Sequence, residues 1–131
     1  MIEKHIVTAS IGKRFSAQFI DECIAFFFGY IAMLLLRTIA PNDALPIITM
    51  WIIVVGYTLV ADGMFVGQSI GKKLMKLSVV RVDTDEPCSY ARSVLRNITY
   101  LLGVFDLIPL IGSQKRRLGD YLAKTKVIME I

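Results

Sequence analysis

One aspartate constrains this chain more than any other residue. No charge lies between Ala44 and Ala61, or between Gly63 and Gly71, yet Asp62 stands between the two runs. A carboxylate at the centre of a bilayer costs roughly 2.5–3.5 kcal/mol on insertion scales, so one that persists there is paired, hydrated or functional. Asp21, Glu22 and Asp106 sit in or at the edges of the other two apolar stretches. The pattern is that of a small integral membrane protein with acidic groups inside its membrane domain.

Composition supports this reading. Hydrophobic residues make up 55% of the 131 and charged residues 20%. The first figure exceeds the soluble norm, and the apolar residues fall in blocks rather than with helical or strand period. The net charge of +4 is distributed unevenly. Residues 1–19 carry three bases and one acid, residues 72–96 six and three, and residues 115–131 five and two. The four remaining acids outside the 37–43 turn are Asp21, Glu22, Asp62 and Asp106. Basic loops around acidic apolar blocks indicate membrane topology, not nucleic-acid binding. Cys23 lies in an apolar block and Cys88 in a polar loop, which argues against a disulfide, and no Cys/His cluster suggests a metal. No dinucleotide loop and no Ser/His/Asp or Cys/His set is present. The expectation is no enzyme and no cofactor, with His5 a solvated histidine.

The first helix is expected over 15–36 and the second over 45–66, each long enough to cross a core about 30 Å thick. Ala40-Pro41-Asn42-Asp43 forms the turn between them, and Pro46 suits a first helical turn. A cleaved signal peptide fits the first block poorly, because Asp21 and Glu22 interrupt it and no small-residue cleavage site follows. Gly67-Gln68-Ser69-Ile70-Gly71-Lys72-Lys73 is one residue short of a phosphate loop and lacks the hydroxyl after the lysine. It reads instead as a helix end and turn, opening an interfacial and cytoplasmic segment over 71–96. Within that segment residues 72–78 are expected flat on the membrane, with Lys72, Lys73 and Lys76 toward anionic headgroups. Residues 79–82 read as a strand, 83–87 as a turn, and 90–96 as a helix capped by Ser89.

The third apolar segment, 97–114, contains Gly103, Asp106, Pro109 and Gly112. A plain third span would carry the basic tail, 115–131, to the outside, against the positive-inside tendency. The tail also holds a strand at 125–129 that can pair with 79–82 only from the same side. A re-entrant hairpin turning near Asp106 to Pro109, with a cytoplasmic tail, is therefore preferred, and a third span is the alternative. The expected fold is all-α and membrane-integral: two transmembrane helices, this third segment, and a small cytoplasmic strand pair, forming one domain over 1–131.

Arg14, Gln18 and Asp21 fall at i, i+4, i+7, on one helical stripe. Entering from the cytoplasm near Phe15, the chain places Asp21 ~9 Å deep. Asp62 lies ~25 Å along the returning helix, at a similar level, and Asp106 ~15 Å beyond Arg96. Asp21, Asp62 and Asp106 are thus candidate ion- or proton-binding carboxylates, with Arg14, Gln18, Arg96, Arg117 and Asp120 as charge partners. The plainer readings stand beside this one. An Arg14–Asp21 pair can simply lock packing, Glu22 can be solvated, and Arg117 with Asp120 can be a local i, i+3 pair. Asp106 can satisfy loose amides, while Gly29 and Gly56 can permit close helix approach. Two or three spans shield four acids poorly, so a homo-oligomer or a larger membrane complex is expected.

These residues resemble the RDD family of small membrane proteins, named for an arginine and two aspartates, here Arg14, Asp21 and Asp62. The resemblance continues through the Gly67–Lys73 motif and Leu77-Ser78-Val79-Val80-Arg81-Val82. It extends to Arg96-Asn97, Asp106-Leu107-Ile108-Pro109, Arg117-Leu118-Gly119-Asp120 and Ala123-x-Thr125-x-Val127. It departs at Gly119, where many relatives carry histidine, and in the short segment between Pro109 and Arg116. It implies a membrane protein sometimes linked to transport, including sodium–proton exchange. The expected location is a prokaryotic cytoplasmic membrane with the N-terminus inside. Two functions compete. One is cation- or proton-coupled transport through Asp62 and Asp21, in which Asp62→Asn abolishes flux without unfolding the protein. The other is a non-catalytic scaffold whose basic surface (Lys72, Lys73, Lys76, Arg92, Arg96) holds anionic lipid or an acidic partner.

Overall fold

The computed structural model describes residues 7–99 and 116–129. Most of the third apolar segment, Asp106 included, lies outside the described residues, as does His5. The described elements run β1 (Val7–Thr8), α1 (Ile11–Arg37), α2 (Leu45–Val60), a 3-10 turn (Ala61–Gly63), α3 (Ile70–Leu74), β2 (Leu77–Arg81), α4 (Tyr90–Asn97), α5 (Leu118–Ala123) and β3 (Thr125–Met129).

Helix α1 starts at Ile11, four residues before the expected Phe15, because Ser10 caps it by accepting from the Lys13 amide at 3.3 Å. Its buried stripe is Arg14, Ala17, Asp21, Ala25, Gly29 and Met33, an almost unbroken i+4 row. Gln18 falls off that row. At Gly29 an added Cβ would stand 3.0 Å from the Met50 carbonyl oxygen, so the α1–α2 crossing is close there, whereas Gly56 faces open space and serves no such approach. Helix α2 ends at Val60 rather than at 66, and Asp62 sits in the 3-10 turn that follows.

Both helical segments, Ile11–Arg37 and Leu45–Gly63, are long and apolar enough to cross a membrane. Only 22% of each apolar window is buried. A core helix of a soluble protein hides its apolar surface, but these expose Phe15, Phe19, Phe27 and Leu35 on α1, and Ile48, Trp51 and Ile52 on α2. That is the surface lipid requires.

The sheet corrects the expectation of an all-α fold with a strand pair. Three antiparallel strands lie in the order β1-β3-β2, with Leu77 opposite Met129, Arg81 opposite Thr125, and Val7 also opposite Met129. The predicted partnership of 79–82 with 125–129 is present, shifted two residues toward Leu77. Strand β1 has only two residues, too few to show alternation in sequence. Leu77, Val79, Val127, Cys88 and Ala9 form a small core against Ala17 of α1, so the sheet is seated on the first turns of that helix. The expected interfacial stretch over 72–78 is also revised. Helix α3 stops at Leu74, Lys76 takes a left-handed conformation (φ 55°), and the chain turns directly into β2.

Candidate functional site

Where α2 ends, α3, α4 and α5 converge on a buried cluster of charge. Asp62, 1% exposed, is paired through one oxygen with Lys72 and through the other with Arg96. Asn97 Nδ2 donates to the same Oδ2 at 3.1 Å. Arg96 extends past Asp62 to Asp120, donating to Asp120 Oδ1 from Nη2 and also from Nε at 3.1 Å. The other Asp120 oxygen accepts from Arg14 Nη2 at 2.6 Å and from the Arg117 amide at 3.2 Å. Arg117 Nε lies 3.7 Å from Asp120 Oδ1, and Arg117 Nη2 donates to Asn97 Oδ1. One guanidinium, that of Arg96, thus joins two carboxylates from elements far apart in sequence.

The cluster forms here because α4 covers the open end of α2. A helix terminus leaves carbonyls without intrahelical donors. Ser93 Oγ donates to Leu59 O at 2.7 Å and accepts from the Asp62 amide at 3.2 Å. Asn97 Nδ2 donates to Thr58 O at 2.9 Å. Ser89 caps α4, as its position in the sequence indicated. In the capping box of α5, the Asp120 carboxylate accepts the backbone N–H of Arg117. Burial alone pushes the Asp120 carboxyl upward, but the guanidiniums of Arg96, Arg117 and Arg14 outweigh it and hold the group well below the usual carboxylate range.

Asp21 belongs to a different environment. Its oxygens accept from Tyr57 Oη at 2.9 Å, Ser69 Oγ at 2.5 Å and the Gly71 amide at 2.8 Å. Every one of these donors is neutral. Next to it, Glu22 Oε1 accepts from Gln18 Nε2 at 2.8 Å and Thr58 Oγ1 at 3.3 Å. The two neighbouring carboxylates are thus surrounded by hydroxyl and amide groups, while Asp62 and Asp120 are surrounded by cations. Gly71 makes the first arrangement possible: an added Cβ would overlap the Ala17 carbonyl oxygen, so only glycine lets α3 bring its amide to Asp21.

Several sequence-based placements change. Arg14 and Asp21 share the α1 stripe but do not pair through Gln18; Arg14 reaches Asp120, and Gln18 turns to Glu22. Glu22 is half-buried and hydrogen-bonded rather than simply solvated. Arg117 and Asp120 are in i, i+3 contact, but as part of the larger cluster. Lys72 does not face headgroups; it is buried, because α3 rolls it inward onto Asp62. Lys73 lies over the Phe65 ring at 4.8 Å, and Lys76 occupies the turn before β2. Asp21 and Asp62 both bond residues of the Ser69–Lys72 stretch. Tyr57, Ser69, Ser93 and Asn97 were missed as site residues. Their signal was a polar side chain in or beside an apolar block, joined for Ser69 and Asn97 by a place in the motifs that carry the resemblance.

Cys23 and Cys88 are both free, and burial pushes the Cys88 thiol up to about 11, which makes it a poor nucleophile. Gly119 has no room for a side chain, since a Cβ there would overlap the Arg96 carbonyl oxygen. Among the described residues no group of three His, Cys, Asp or Glu is placed to hold a metal.

The profile of the RDD family matches residues 8–124. No curated protein and no solved structure matches the chain.

Proposed function

The chain belongs to the RDD family, and from that premise we propose that it is a non-enzymatic membrane protein that exchanges protons for a hard cation such as sodium. Asp21 is the exchanging carboxylate. One observation carries this reading: among the described residues, the carboxylates of Asp62 and Asp120 are saturated by cations, while the buried carboxylate of Asp21 accepts only from neutral donors. A carboxylate without a fixed cationic partner can take up a mobile one, or a proton, without breaking an ion pair. Its surroundings are oxygen-rich, with Tyr57 and Ser69 hydroxyls on Asp21 and the Thr58 hydroxyl on Glu22, the ligand type that suits a hard cation. Asp62, the other carboxylate expected in this role, we assign to holding α3 through its pair with Lys72. A homo-oligomer completes the shielding that two spans supply only in part.

The decisive experiment places the protein in liposomes with an internal pH dye and an imposed sodium gradient. Wild type is expected to move protons against sodium, and Asp21→Asn to abolish that movement while unfolding at the same temperature. Sodium-driven proton flux undiminished in Asp21→Asn refutes the assignment.

A second reading is favoured by the cluster around Arg96. Four cations and two carboxylates that link the spans to α3, α4 and α5 suit a membrane scaffold, in which rigidity is the function. No proton movement from folded, inserted wild-type protein decides for it.

A further inference from the structure

We infer that the cleft between α4 and α5 is a binding slot for one anionic phospholipid, with Arg92 and Lys124 holding the phosphate and Leu95 and Leu122 lying along an acyl chain. The cleft has a volume of about 440 Å³ and is lined by these four residues together with Ser89, Ala91 and Ala123. The proposal needs the spans to cross a bilayer but is independent of any exchange at Asp21.

The packing partners of the two helices fix how deep each residue lies. Tyr90 abuts Gly63, Ser93 bonds Leu59, and Asn97 bonds Thr58. Helix α4 therefore runs antiparallel to the end of α2, with its first turn outermost and Asn97 deepest. Helix α5 runs antiparallel to α4 in turn: Arg92 Nη1 donates to Ala123 O at 2.6 Å, while Gly119 lies against Arg96 O. Lys124 is consequently level with Arg92 at the outer rim, and Leu118 lies deep.

The outer faces of both helices are apolar. On α4 and just beyond it, Leu95 and Ile98 are exposed; on α5, Leu118 and Leu122 are exposed. Inward from the rim the exposed surface is thus hydrocarbon, and at the rim it is cationic. That polarity matches a phospholipid standing in the leaflet on the side of the sheet. Charge complementarity also holds. Arg92 gives one N–H to Ala123 O, and among the described residues no carboxylate pairs with it or with Lys124. Ser89 at the rim adds a hydroxyl within the same lining. A guanidinium, an ammonium and a hydroxyl around a cleft suit a phosphodiester with a net negative charge.

The test is native mass spectrometry of the full chain released from nanodiscs of mixed phosphatidylglycerol and phosphatidylcholine. Wild type is expected to retain one phosphatidylglycerol in clear preference to phosphatidylcholine. Loss of both charges in Arg92→Gln/Lys124→Gln is expected to reduce that preference about thirtyfold, at about 1 kcal/mol per basic residue near the surface. Lys124→Gln, whose side chain makes no hydrogen bond among the described residues, should lose about fivefold by itself and keeps the test readable if the double variant does not fold. Arg81→Gln/Lys126→Gln, which removes two basic charges of the sheet that are paired with Asp83, Glu86 and Asp85 outside the cleft, should retain the wild-type preference. Equal retention of both lipids, a preference indifferent to Lys124, or an equal loss in the Arg81/Lys126 control overturns the proposal. Indifference to Lys124 would make the cleft a protein contact instead.

Discussion

Replacing Asp62 with asparagine tests the central electrostatic argument. Asparagine keeps the shape and one acceptor but removes the charge facing both Lys72 and Arg96. Arg96 retains Asp120; for Lys72, 6% exposed, Asp62 is the ion-pair partner among the described residues. Removing one member of a buried pair costs roughly 3–5 kcal/mol, chiefly because the other charge stays desolvated. Set against a total stability of about 5–15 kcal/mol, that is a third or more for a protein in mid-range. The coupling is specific, so adding Lys72→Met to the variant should recover about 1–3 kcal/mol. The chain's one tryptophan, Trp51 on α2, packs edge-on to Phe26 of α1 at 5.8 Å and reports separation of the spans. Denaturant titration in detergent micelles, followed by its fluorescence, gives all three stabilities. A loss below about 1 kcal/mol for Asp62→Asn, or no recovery with Lys72→Met, refutes the claim that the pair fixes α3. The same result would return Asp62 to the list of exchanging groups.

Two further outcomes are expected. The Asp120 carboxyl is depressed in the folded state, so its contribution is complete above the unfolded value near 3.9 and declines as pH falls through and below it. The thermal midpoint should hold from pH 7 to about 5 and drop below about 4, and a midpoint flat to pH 3 removes Asp120 from the account. Gly71→Ala must push α3 off the Ala17 carbonyl and should cost about 1–3 kcal/mol, whereas Gly56→Ala, in open space inside α2, should gain about 0.5–1 kcal/mol. Equal midpoints for the two variants would contradict the close approach.

The spans were legible because a block of apolar residues needs no partner to be recognised. The Ser89 cap was legible for a related reason: it acts within three residues, on the Arg92 amide. What the sequence concealed is the choice of partner among many charges. Arg14 and Asp21 shared a helical stripe, and that local proximity suggested a pair, but the carboxylate Arg14 meets belongs to Asp120. Lys72 stood in a run of basic residues that read as an interface, and its inward rotation depends on α3 being five residues long and placed by Gly71. Likewise Ser69 and Tyr57 became site residues only once α1, α2 and α3 were packed.

The Arg14–Asp120 bond also imposes an order on synthesis. Its two residues are 106 positions apart, so at about 5–20 residues per second the arginine waits roughly 5–20 s for its carboxylate to be made. Arg96 is made between them, after its partner Asp62 and before its partner Asp120. During that interval the first helix stands at the membrane without the Asp120 carboxylate that Arg14 meets in the finished fold. The helical hairpin can insert early, but the small domain beneath it cannot close until the last helix has left the ribosome. A nascent chain interrupted before residue 120 therefore lacks the carboxylate that ties its first helix to its last, and the small domain stays open.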